Sequence, residues 1–192
     1  NKLNLIVASS TAQDEMLWCV NDRYINYPIF ADKTNGSQFI FLNTHFCSAV
    51  TQTNNLPEGF TAEQVNQQHA ETLAKFTENL ITGWQLPVVI AGDLNANINS
   101  NSLQFLLGQA ELPNGVSNNI NLTDSWSEAN SGNKSGIDWL LYSSENNVVR
   151  SAEVIESDLS EQASDHYPVI ATIAFNTDTN DSGSQDDGGS QD

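Results

Sequence analysis

Basic residues are scarce in this sequence. Six lysines and arginines stand against 24 aspartates and glutamates, a formal net charge of −18 over 192 residues. Such a surface repels polyanions at long range, which excludes a protein that coats nucleic acid by charge alone. It does not exclude an enzyme acting on phosphate esters, because bound cations invert the local field. Long apolar runs are also missing, and no stretch reaches the roughly 20 apolar residues that span a bilayer. There is no initiator methionine and no signal peptide: the chain opens NKLNLIVASS and reads as a processed product or an excised fragment. Cysteine is limited to Cys19 and Cys47. Both fall near predicted strands, so one disulfide or two buried thiols would accommodate them. The Asn-rich, Lys-poor, acidic composition points to export, to an extracellular or periplasmic location.

From Asn176 onward the composition changes. NTDTNDSGSQDDGGSQD holds no large apolar residue and carries the near-repeat SQDDGGSQD. Such a segment cannot bury enough surface to offset its ordering entropy, which predicts a disordered acidic tail or linker over 176–192 behind a domain over 1–175. DDGG lacks the full spaced acidic loop of a known calcium motif.

Strands and helices alternate before the tail. Leu3–Ala8 is a short apolar run. Tyr27–Ala31 and Phe39–Asn43 flank Asn35-Gly36, a strong hairpin signal. Cys47–Phe60 reads as a polar loop. Thr61-Ala62-Glu63-Gln64 then reads as a capping box, followed by Val65, Leu73, Phe76 and Leu80 on one helical face, with Gly83 closing the helix. LPVVIA at Leu86–Ala91 is a continuous apolar run, as in a strand covered on both faces. A short helix is expected around Ser102–Leu107, a pair of strands at Ile137–Tyr142 and Val148–Ile155, and a last strand at Tyr167–Phe175. The pattern is that of an α/β protein of the α+β kind, a layered sandwich of mixed β-sheets flanked by helices.

Four polar clusters sit at the ends of these strands: Asn43–His45 (NTH), Gly92–Asn95 (GDLN), Gly136–Asp138 (GID) and Ser164–His166 (SDH). Strand ends facing one way around a sheet can converge on one point. His45, taken alone, reads as a satisfied edge histidine. Asp93 follows a buried strand, where a carboxylate often forms a turn. Asp-x-Asn in an extended chain instead places Asp93 and Asn95 on one side, suited to a metal-bound water or a phosphate. Asp138 lies inside the apolar run IDWLL, where a carboxylate is costly unless paired or hydrogen-bonded, and a histidine is the obvious partner. Asp165 and His166 are adjacent, so in an extended chain they point opposite ways, one toward a cation and the other toward a proton or phosphate. His69 fits helix packing, Trp126 and Trp139 fit the core, and Arg23 fits either the surface or a phosphate contact.

The order NTH, GDxN, IDW, SDHYPV, with an apolar strand at each, resembles the endonuclease/exonuclease/phosphatase superfamily over roughly Gln38–Phe175. The resemblance implies part of a four-layer fold with its site at the strand ends between two sheets. It implies that His45 contacts the scissile phosphate, that Asp93 and Asn95 position the attacking water and the phosphate, and that Asp138 holds His166 in its productive tautomer. It places Asp165, with Asp93, at the metal, which would be magnesium or another divalent cation such as manganese or calcium. The implied activity is that of a metal-dependent phosphoesterase, a hydrolase. Its substrate would be a phosphodiester, with nucleic acid favoured and a monomer expected. A phosphatase or sphingomyelinase-like phospholipase of the same fold, and a non-catalytic remnant, are the alternatives. The superfamily also has an N-terminal half that ends one strand in a metal-associated Asn and another in a Gln-Glu pair. Neither is found in the 42 residues before Asn43, where Asp14-Glu15 is an acidic pair without a strand before it. The chain is therefore expected to hold an incomplete metal site, to bind magnesium poorly and to leave one face of its core exposed or filled by a partner.

Overall fold

A computed structural model describes residues 3–7, 23–48, 56, 58–130, 136–143 and 147–175. Twelve elements follow one another among them: β1 (Leu3–Val7), β2 (Ile29–Asp32), β3 (Gln38–Asn43), α1 (Ala62–Trp84), β4 (Val88–Asp93), α2 (Asn101–Leu106), β5 (Leu122–Asp124), α3 (Ser125–Ala129), β6 (Asp138–Ser143), β7 (Asn147–Val154), α4 (Asp158–Ala163) and β8 (Val169–Phe175). Six strands form one mixed sheet in the order β1-β2-β3-β4-β6-β5, and β7 pairs with β8 in a second sheet. The β3–β4 pair is parallel, with α1 as the crossover. The other neighbours in the large sheet are antiparallel.

Local chemistry accounts for the main elements. The Asn35-Gly36 turn joins β2 to β3, with Gly36 at φ 76° where a side chain would be strained. Thr61 caps α1 through the expected capping box with Gln64, whose side-chain oxygen accepts the Thr61 N–H at 2.8 Å. The helix does not close at Gly83. It continues to Trp84, and Gln85 takes the left-handed turn at φ 53°, its N–H donating to the Ile81 carbonyl. Pro87, which disfavours helix at the residue before it, sets the limit just past the glycine.

The strand LPVVIA is covered on both faces, as its continuous apolar run predicts. Val88 and Ile90 face the core under α1, while Val89 faces the second sheet. β3 and β6 alternate in the same way, with Ile40, Leu42, Trp139 and Leu141 on the helix side and Phe39, Phe41, Leu140 and Tyr142 on the other. The two strands expected at Ile137–Tyr142 and Val148–Ile155 are present as β6 and β7, but they do not pair with each other. β6 pairs with β4 and β5, and β7 crosses to the second sheet to pair with β8. Hydrophobic pattern marks a strand but not its neighbour, and β6 gains two partners in the centre of the large sheet. The tail at 176–192, Asp14-Glu15 and Cys19 lie outside the described residues. Cys47 is buried and disulfide-bonded.

Candidate active site

β4 ends in Gly92-Asp93, and β3 runs on past Asn43 to keep pairing with it: Thr44 N–H donates to the Ala91 carbonyl at 3.2 Å, and Phe46 N–H to the Asp93 carbonyl at 2.9 Å. This approach depends on Gly92, because a Cβ there would stand 1.8 Å from the Thr44 carbonyl oxygen. The missing side chain thus brings His45 beside Asp93. On the other flank β6 begins with Asp138, the register partner of Asp93. Like charges opposite one another on neighbouring strands repel, and two imidazoles offset that repulsion here.

His166 Nδ1 lies 2.7 Å from Asp138 Oδ2. An ionised carboxylate carries no proton, so the imidazole donates, and in the neutral ring Nε2 keeps the lone pair. That Nε2 lies 3.9 Å from Asp93 Oδ2, and His45 Nε2 lies 3.4 Å from the same oxygen. Asp93 divides its work. Its Oδ1 accepts the Asn95 N–H at 2.8 Å and shapes the turn, while Oδ2 stands between the two histidines.

The two imidazoles are pushed in opposite directions. His166 is raised above its ordinary 6.5, first by the hydrogen bond to Asp138 and then by that carboxylate's charge. His45 is lowered, first by burial and then by the charge of Arg23, against the opposing pull of Asp93. Groups driven apart in this way are suited to opposite proton-transfer roles.

Of the predicted site residues, the structure brings together His45, Asp93, Asp138 and His166. Asn95 lies beside them but not in an extended chain. It adopts φ 45°, a conformation that asparagine tolerates, and its side-chain amide donates to the Phe46 carbonyl at 3.1 Å. Its side chain therefore ties the two site loops together, in place of the same-side arrangement with Asp93 that an extended chain would give. Asp165 is exposed and is not one of the three residues whose ligand atoms lie close together. It lines a depression of about 200 Å³ with Asp138 and His166, and one ligand atom each from Asp93, Asp138 and His166, all within 4.8 Å of one another, makes the group that could hold a cation.

Sequence reasoning passed over the supports behind this face. Asn66, 1% exposed on α1, donates to the Asn95 carbonyl at 3.4 Å. His69, read as a packing residue, is buried and accepts the Cys47 N–H at Nδ1. Trp139 is buried and its indole N–H donates to the Ala96 carbonyl at 2.7 Å, whereas Trp126 is half-buried. Asp124, buried, caps α3 through the N–H groups of Trp126 and Ser127. A polar residue beside Val65 on the buried face of α1 was the available signal for Asn66.

Solved structures share this two-sheet architecture. A Bacteroides vulgatus endonuclease/exonuclease/phosphatase matches with a TM-score of 0.68 at 19% identity, over 91% of this chain and 67% of its own. The chain has the endonuclease/exonuclease/phosphatase fold. A mannosyl-6-phosphatase from Bacteroides thetaiotaomicron is similar with a TM-score of 0.63 at 19% identity, over 91% of this chain and 68% of its own. D. rerio TDP2, complexed with a single strand DNA product, is similar with a TM-score of 0.62 at 12% identity, over 90% and 69%. The chain thus spans about two thirds of these endonuclease/exonuclease/phosphatase-fold proteins, and 61% of a human Nocturnin catalytic domain. No family model and no curated protein matches the sequence.

Proposed function

We propose that the chain carries the hydrolytic face of an exported, metal-dependent phosphodiesterase, with nucleic acid as the favoured substrate. One observation carries this reading: Asp93 Oδ2 is bracketed by two histidines, one of them held by Asp138 at 2.7 Å, at the strand ends between two sheets. Phosphodiester hydrolysis needs an activated water, charge neutralisation on the non-bridging oxygens and a proton for the leaving alkoxide. His166, oriented through Nδ1, holds or moves a proton at Nε2. His45, whose imidazole is pushed below its ordinary value first by partial burial and then by the charge of Arg23, would face the phosphate as a hydrogen-bonding group.

Asp93 and Asp138 offer the hard oxygens that magnesium, manganese or calcium prefers, with His166 beside them. Two carboxylates fit such a cation in part, and water, substrate or further protein oxygens would complete its shell. A divalent cation would supply charge neutralisation and a more acidic water. Asp165, exposed beside His166, is proposed as an outer contact to the ion's water shell.

Replacing His166 with Ala is expected to lower plasmid nicking in magnesium by about 100-fold or more, and retained nicking would sink the proposal. The fold also includes a mannosyl-6-phosphatase, and the charge of −18 disfavours long polyanions. A phosphatase or sphingomyelinase-like reading is therefore tested on the same preparation. Turnover of inositol phosphates or sphingomyelin without nicking selects it. No described helix is long and apolar enough to cross a membrane.

A further inference from the structure

Three atoms of the site face one another at separations that hydrogen bonding does not explain. Asp93 Oδ2 lies 3.4 Å from His45 Nε2 and 3.9 Å from His166 Nε2. Both distances exceed the range of about 2.7–3.2 Å for an N–H donor and an oxygen acceptor. They suit another arrangement. Two ligands on one tetrahedral zinc ion, each bonded at about 2.0–2.1 Å, stand roughly 3.4 Å apart. The His45–Asp93 pair meets that separation as it stands, and His166 meets it after a small side-chain movement.

Two of these groups are also held from behind. A metal-binding histidine donates its other ring N–H to a carboxylate or carbonyl, and a ligating carboxylate is itself hydrogen-bonded. His166 Nδ1 lies 2.7 Å from Asp138 Oδ2, which leaves the lone pair on Nε2. Asp93 Oδ1 accepts the Asn95 N–H at 2.8 Å, which leaves Oδ2 for the imidazoles. His45 sits between Thr44 and Phe46, whose N–H groups are both bonded to carbonyls of the chain at the end of β4. The donor set is two imidazole nitrogens and one carboxylate oxygen. Zinc takes such a set, whereas magnesium takes oxygen ligands. The His45 side chain is 51% exposed, so an ion reaches the cluster from solvent.

We propose that His45 Nε2, Asp93 Oδ2 and His166 Nε2 form a zinc site, with water as the fourth ligand. This use of the cluster differs from the magnesium one. Asp138 orients a ligand here and is not a ligand itself. Zinc and magnesium compete for Asp93, and zinc takes the Nε2 at which His166 holds or moves its proton. Bound zinc therefore inhibits hydrolysis. That consequence rests on the phosphoesterase reading above, and the zinc site itself does not.

The test uses the 192-residue chain in magnesium buffer, with zinc chloride followed by calorimetry, cobalt(II) as an optical probe and bis(p-nitrophenyl) phosphate as the ester. Cobalt(II) is expected to show the strong visible bands of a four-coordinate ion, and zinc to bleach them. Asp138→Asn is expected to weaken zinc binding by about 10-fold, as loss of a carboxylate behind a ligand does. His45→Ala and His166→Ala are each expected to weaken it further and to abolish the cobalt bands. Asp158→Asn removes an exposed carboxylate from α4 and is expected to change neither. Circular dichroism of each variant controls for folding. Zinc binding that depends on both histidines in a chain without turnover supports the site while the hydrolase reading fails. No zinc binding by the wild-type chain overturns the site, and turnover by that chain leaves the hydrolase reading standing. Zinc binding unchanged in either histidine variant, or lost equally in Asp158→Asn, also overturns the site and assigns the ion to the acidic surface. Turnover undiminished at saturating zinc overturns the inhibition.

Discussion

The two faces of the large sheet are covered unequally. Under α1 and α2, 21 described residues are buried in one continuous cluster, whereas the face under β7 and β8 buries four. The first face has a 23-residue amphipathic helix laid along it. The second has two strands, one of which alternates half-buried and exposed positions and leaves Ile170 47% exposed. The site straddles this difference. His45, Asp93 and Asp138 belong to the large sheet, while His166 arrives on the loop into β8. The Asp138–His166 bond therefore ties the thinner layer to the thicker one at the point where the chemistry is proposed. Stability and catalytic geometry are separated in this fold: the helix side supplies most of the buried apolar surface, and the junction supplies the site.

That contrast can be broken most severely at Gly92. Gly92→Ala sets a Cβ against the Thr44 carbonyl oxygen, and backbone cannot yield as a side-chain tip can. A loss of about 4 kcal/mol or more is expected, read as a large fall in the urea midpoint. Unchanged unfolding would show that the two site loops do not depend on this approach. The two faces are compared directly by truncation. Leu73→Ala, in the helix-side core, is expected to cost about 3 kcal/mol. Val149→Ala, under the second sheet, is expected to cost about 1 to 2 kcal/mol from its two buried methyl groups. Equal losses would contradict the inequality.

The smallest expected effect is Asp138→Asn. The raised pKa of His166 comes first from Asp138, so the imidazole should titrate back toward 6.5 in the variant, as followed by proton NMR of the metal-free chain. A folded-state pKa above the unfolded one stabilises fully below 6.5, and the contribution is lost as pH rises through the folded value. The stability difference between the two proteins should accordingly be larger at pH 6 than at pH 9. With the His166 side chain 36% exposed, solvent screening keeps it small. An unshifted titration would remove Asp138 as the cause.

Much of the scaffold was legible because its signals are local. The Asn35-Gly36 turn, the Thr61 capping box and the double-sided strand at Leu86–Ala91 each depend on residues within one turn or one strand. The pairing of Asp138 with His166 was also foreseeable, since a carboxylate at the head of a buried strand needs a partner. Other features were not legible. Gly83 suggested a helix end that Pro87 placed later, and the break between β6 and β7 hid a change of sheet. Asp-x-Asn suggested an extended pair, whereas the backbone turns at Asn95. Asp165 and His166 are neighbours in sequence with equal claims, and only the position of Asp138 across the junction selects the histidine for the cluster.

The sequence by itself determined which residues were available at strand ends, through hydrophobic period, turn chemistry and the cost of an unpaired buried charge. The tertiary structure decided which of them meet. Contacts such as Gly92 with Thr44, His45 with Asp93 and Asp138 with His166 depend on strand order and on backbone approach across tens of residues, and no local propensity encodes those distances.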